Sequence, residues 1–174
     1  RVVAVTPEEE AVSKTAVFEW YAQEVRYSKG DTYLDQNNPA VNFGAAKQLL
    51  IKKVSGPARE SFFTFDVSGL EHAASARFRV MGRVGSSTAF AATRFVVAAG
   101  QLGDWNANAV TWNQPIPGTT VPRTVTDTVL ADEAGRILYG YNTANRLEVD
   151  VTAAVRAAAA TGQPLTLRVY ADTP

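Results

Sequence analysis

Apolar residues recur along most of this chain with a period of two. In SFFTFD, Phe63 and Phe65 share one parity while Phe62 and Thr64 hold the other. In ARFRVMGR, Phe78 and Val80 oppose Arg77, Arg79 and Met81, and in LTLRVY, Leu165, Leu167 and Val169 oppose Thr166, Arg168 and Tyr170. Such alternation sends successive side chains to opposite faces of a strand. Comparable runs fall at 48–54, 61–66, 76–84, 90–97, 110–113, 121–129, 136–141, 145–149 and 165–171, each bounded by Gly, Pro, Asn or Ser. A further short run opens DTYLDQNNPAVNFG before its Asn, Pro and Gly turn residues. Short strands separated by turn chemistry predict an all-β fold, an antiparallel β-sandwich. On that reading Phe63, Phe65, Phe78, Val80, Leu167 and Val169 lie between the two sheets.

Two stretches break the pattern. DVTAAVRAAAATGQP offers Asp150 or Thr152 as an N-cap, Gly162 as a C-cap and Pro164 beyond, which predicts one short capped helix over an end of the sandwich. QLGDWNANAVTWNQPIP holds two of the three tryptophans, and its 110–113 segment reads as a short strand anchored by aromatic bulk. Residues 1–27 differ in texture. Thr6 as N-cap, Pro7 at N1 and apolar residues at steps of three to five up to Val25 favour a helix or interdomain extension, with a leading strand over 18–26 as the alternative. The chain therefore divides into an extension, 1–27, and a sandwich, 28–174.

Length and charge narrow the function. At 174 residues there is material for one sizeable core. The 17 basic and 17 acidic residues balance, so no global basic field points to nucleic acid. No apolar run is long enough to span a bilayer as a helix. The absence of cysteine removes disulfides, zinc-thiolate sites and thiol nucleophiles. A first residue other than Met reads as a fragment of a longer protein that carries its targeting signal elsewhere. The single histidine, His72, lies in a turn-like segment, and no nucleophile elbow, phosphate loop or metalloprotease motif is present, so no catalytic residue is assigned. Asp31 and Asp35 in DTYLDQNNP, with neighbouring amide oxygens, suit either a structural calcium ion or a turn-stabilising cluster. No other cofactor is indicated.

The second strand faces carry the functional signal. Arg79 and Arg168 lie on the parity opposite the core, with Tyr170 beside them, and Lys47, Lys53 and Arg59 flank a run containing Lys52. If these strands are neighbours, that face is either basic and aromatic or a merely solvated surface. DTYLDQNNPAVNFGAAKQLLIKK, RESFFTFDVSGL, WNANAVTWNQPIP and LEVDVTAAVRAAAATGQPLTLRV together resemble the DNRLRE-type domains, among them carbohydrate-binding module family 96. The resemblance implies a jelly-roll β-sandwich, non-catalytic, attached to secreted or cell-surface bacterial enzymes that act on polysaccharides. It implies an acidic polysaccharide such as alginate as partner, bound by a monomer next to other domains of the same polypeptide. Family binding residues map to Lys47, Lys52, Lys53, Arg59 and Tyr170, with Glu60 standing where a basic residue is common. Arg and Lys would pair uronate carboxylates while Tyr170 or Phe62 covers a sugar face. The competing reading is a structural or spacer module of a cell-surface protein.

Overall fold

The computed structural model describes residues 24–52, 56–83, 85, 94–100, 103–114, 128–134 and 144–172. Seven strands among them pair antiparallel in two sheets: β1 Gly30–Asp35, β2 Arg59–Phe65, β3 Arg77–Gly82, β4 Arg94–Gly100, β5 Thr128–Ala134, β6 Asn145–Asp150 and β7 Leu165–Asp172. The large sheet runs β1-β2-β7-β4-β5 and the small one is the ribbon β3-β6. The fold is an all-β sandwich. No described helix is long and apolar enough to cross a membrane.

The first core lies where parity places it, between the sheets. Phe63, Phe78, Leu167 and Val169 are buried there, with Phe65 and Val80 partly buried against them. Phe78 crosses from the small sheet to meet Phe63 and Phe65 edge-on, with ring centroids 5.2 and 6.1 Å apart. One helix, α1 Thr152–Ala160, carries the chain from β6 to β7 and contributes Val155 and Ala158 to this core. The N-cap position is Val151 rather than Asp150 or Thr152, and the Asp150 carboxylate instead accepts the Thr152 N–H. At the other end Gly162, at φ +65°, and Gln163 donate to Ala159 and Ala158 carbonyls, the closing pattern that a left-handed glycine permits.

A second core lies on the outer face of the large sheet. Leu34 and Phe62 point outward from β1 and β2, yet each is 0% exposed, because Trp105, Val110 and Trp112 pack over them. The expected strand at 110–113 is absent. The Asn42 side-chain amide donates to the carbonyls of Ala107 and Val110, Thr111 N–H bonds to Gln114, and Asn113 N–H bonds to Pro39. With its polar backbone satisfied locally and by Asn42, the segment covers a sheet instead of joining one. The Trp105 indole N–H completes the seam by donating to Thr166 Oγ1 on β7, at 2.9 Å.

Other elements shift from expectation. In the expected 48–54 run, only Lys52 pairs, bridging to Arg59, while 53–55 lie outside the described residues. β4 extends to Gly100 rather than Val97, with a register shift at Val97/Ala98. β5 takes in residues 128 and 129 of the expected 121–129 run; 121–127 and 136–141 lie outside the described residues, as does the extension up to residue 23. Of that extension, Glu24 to Tyr27 are described as irregular chain, with Arg26 donating to the Asp66 carbonyl.

Burial of both faces forces polar residues into pairs. Glu60 and Arg168, each 8% exposed, form two parallel hydrogen bonds of 3.0 and 3.1 Å. At the far end of β1, buried Asp35 accepts from Asn37 N–H, from the Asn38 amide and from Arg59 Nε, fixing the turn after the strand. Burial alone would raise the Asp35 pKa, but the donors from Asn38, Asn37 and Arg59 outweigh it and hold the carboxyl below its usual range.

Three outcomes are expected. Arg168→Ala should destabilise by about 3–5 kcal/mol by leaving a buried carboxylate unpaired, and Glu60→Leu combined with Arg168→Met should recover most of that loss; equal melting of the single and double variants refutes the pairing. Thr64 Oγ1 is buried with no hydrogen-bond partner among the described residues, so Thr64→Val should stabilise by about 1 kcal/mol in chemical denaturation. A carboxylate depressed in the folded state stabilises fully above its unfolded pKa of about 4 and loses that contribution as pH falls through the folded value. The melting temperature should therefore drop below about pH 4, and Asp35→Asn should start lower at neutral pH and drop less on acidification.

Candidate binding surfaces

The cations singled out in the sequence do not share a face. Lys52 and Arg59 do come together, through paired backbone hydrogen bonds of 3.0 and 2.7 Å at the start of β2. Lys47 is exposed in the connection between β1 and β2, and Lys53 lies outside the described residues. The Arg59 guanidinium is drawn onto Asp35 at 3.0 Å. Asp31 and Asp35, considered above as joint calcium ligands, sit at opposite ends of β1, four residues or about 13 Å apart. Asp31 accepts the Ser28 hydroxyl, and Asp35 is the turn-stabilising centre already described. The structure therefore does not bring the two carboxylates to one ion.

Arg168 and Tyr170 stand side by side on β7, but not as a free ligand platform. Arg168 is bound to Glu60, and its guanidinium lies 4.1 Å from the Tyr170 ring centroid, covering one face of the ring. Phe62 is wholly buried and covers no sugar. The physical reason is the Trp105 to Trp112 segment, which turns the expected solvent face into an interior. Glu60, which looked like a departure in a basic strand, is the partner that makes a buried arginine tolerable.

Arg79 belongs to a different surface. On the outward face of the ribbon, Arg77, Arg79 and Met81 of β3 stand opposite Asp150, Glu148 and Arg146 of β6 in register. Three guanidiniums converge on one carboxylate: Arg79 Nε at 3.0 Å, Arg77 Nε at 3.5 Å and Arg146 Nε at 3.5 Å from Glu148. The Arg79 hydrogen bond leads in depressing the Glu148 pKa, with burial opposing it and the charges of Arg79, Arg146 and Arg77 acting with it. Each arginine side chain remains about half exposed, and Met81, at 63%, adds an apolar patch between them. Arg83 is exposed just beyond the strand. Among the described residues of the two strands, three arginines stand against two carboxylates on this face, an excess of one positive charge in a chain whose total is zero. The Arg77 parity was legible in the sequence. Arg146 was missed, although its alternation with Glu148 in NRLEVD is the signal that places it.

His72 is exposed. The acids nearest the surfaces above all accept from named donors: Asp66 from Ser68 N–H, Asp104 from Lys29, Asp150 from Thr152 N–H and Glu148 from Arg79. The chemistry on display is ion pairing and hydrogen bonding by side chains on rigid strands.

Comparison with known proteins supplies a family. No curated protein matches the sequence. The model of one family, described as carbohydrate-binding module family 96, matches residues 22–173, nearly the whole chain. A match of that extent places this two-sheet sandwich among non-catalytic sugar-binding modules, and the chain belongs to carbohydrate-binding module family 96.

Proposed function

We propose that this module binds an anionic, uronate-bearing polysaccharide of the alginate type, and that the arginine face of β3 and β6 is its principal contact. The observation that carries this reading is the convergence of Arg77, Arg79 and Arg146 on the single Glu148. A carboxylate spaced along a polymer can take donors of Arg77 and Arg79 that Glu148 leaves unused, and Arg matches its planar geometry in a way Lys does not. Met81, exposed among the guanidiniums, gives the apolar side of a sugar ring something to lie on. Lys52 and Arg59, paired at the start of β2, are a second contact in this reading, separate from the arginine face, with Lys47 exposed in the preceding connection and Tyr170 on β7. In this reading the module acts as a monomer in a secreted or cell-surface bacterial protein and holds an attached polysaccharide-active domain near its substrate. The module itself performs no chemistry.

Each exposed pair contributes at most about 1 kcal/mol. Replacing Arg77, Arg79 and Arg146 together by Ala should therefore weaken retention in an alginate affinity gel by roughly ten- to a hundredfold, with the melting temperature nearly unchanged. Raising salt past physiological strength, where screening already acts within about 8 Å, should weaken the unmodified protein in the same direction. Retention that survives the triple substitution, or that is equal in cellulose and alginate gels, overturns the assignment.

A further inference from the structure

A groove of about 620 Å³ opens on the other side of the sandwich, where the start of β1 meets the segment that bears Trp105. Ser28, Lys29 and Asp31 line it from one strand end, and Asp104, Asn106 and Asn108 from the covering segment. The buried Trp105 and Thr64 complete the lining. A second hollow of about 410 Å³ shares Lys29 and Asp104 with it and reaches Gly162 and Gln163 after α1. Volumes of this order lie within the roughly 300–1,000 Å³ typical of small-ligand sites.

The walls are fixed by close backbone approach. A side chain at Gly44 would run into the Ala107 carbonyl, and one at Gly30 would begin 3.3 Å from Ala107 Cβ. Asn42 holds the same segment through the Ala107 and Val110 carbonyls at 2.8 and 2.6 Å. The hollow is therefore present before any ligand arrives, which spares the ordering that a loose loop would require.

Its chemistry is the reverse of the arginine face. Lys29, the one cation among the described lining residues, is held by both oxygens of Asp104 at 2.9 and 3.0 Å. Asp31 then leaves a surplus negative charge, with only Oδ2 engaged by Ser28 among the described residues. A uronate carboxylate meets repulsion here. An uncharged sugar instead brings hydroxyls that donate to carboxylate and amide oxygens and accept from amide N–H groups.

We propose that this groove is a second sugar subsite, one that takes an uncharged, hydroxyl-rich residue on the side of the sandwich opposite the arginines. It goes beyond the anionic reading and does not depend on it. The test follows the indole N–H resonance of Trp105 in the isotopically labelled full chain during titration with cello-, manno- and xylo-oligosaccharides and with oligo-uronate. At least one neutral oligosaccharide should shift this resonance with a Kd on the order of 1 mM, insensitive to added salt, and oligo-uronate should not. Asn108→Trp, which fills the groove from an exposed position, should weaken that binding at least tenfold. Asp31→Lys, on the opposite wall, should weaken the neutral sugar and admit oligo-uronate. Absence of any shift with all three neutral series overturns the proposal, as does neutral-sugar binding that persists in both variants. Alginate retention, measured separately on the same variants, should be unchanged, so failure here is distinguishable from failure of the arginine face.

Discussion

The large sheet is buried on both of its faces, and most of what is distinctive in this chain follows from that constraint. The sandwich core accounts for one face. The other is closed by Trp105, Val110 and Trp112, whose segment has no strand to pair with and depends on Asn42 for two of its backbone hydrogen bonds. Once the second face is dry, its polar residues must find one another. Thr166 takes the indole N–H, and Glu60 and Arg168 become a matched pair, because a lone charge there would have no water to turn to.

Strand parity made the inner core readable, since Phe63, Phe78, Leu167 and Val169 occupy alternate positions and reach the same interior. The same parity misled on the outer face. Thr166, Arg168 and Tyr170 look like the wet side of a half-exposed strand, and alternation alone does not report what a distant segment lays over it. The clues were Leu34 and Phe62, two large apolar residues on the supposedly polar parity, and two tryptophans in a segment with no second strand beside it. Reading 110–113 as a strand hid them. The arginine ribbon was half legible: β3 displayed its alternation, but the convergence on Glu148 requires the register with β6, and register between strands more than sixty residues apart is a property of the folded chain.

A formal charge of zero conceals a sorted surface. The ribbon collects an excess of arginine while the groove beside Trp105 keeps an excess of carboxylate, and the two lie on opposite outer faces of one sandwich. Fields from such patches are screened within about 8 Å at physiological ionic strength, so each acts on what touches it and neither steers the other's ligand. The balance is also a reason the arginines remain available. Arg77 and Arg79 share the Glu148 carboxylate, and no single ion pair satisfies all the donors of both.

The strand at the centre of the large sheet, β7, is also the last of the described strands in sequence. Until residues 165–172 have emerged during synthesis, β2 and β4 have nothing between them, and among the described strands β2 has only β1 beside it, its other flank waiting for β7. Pairing across more than one hundred intervening residues is slow to find. The order of the strands thus makes assembly a late, all-at-once event, and it makes the exposed flank of β2 the place where a nascent chain is most open to chaperones or to pairing with its neighbours.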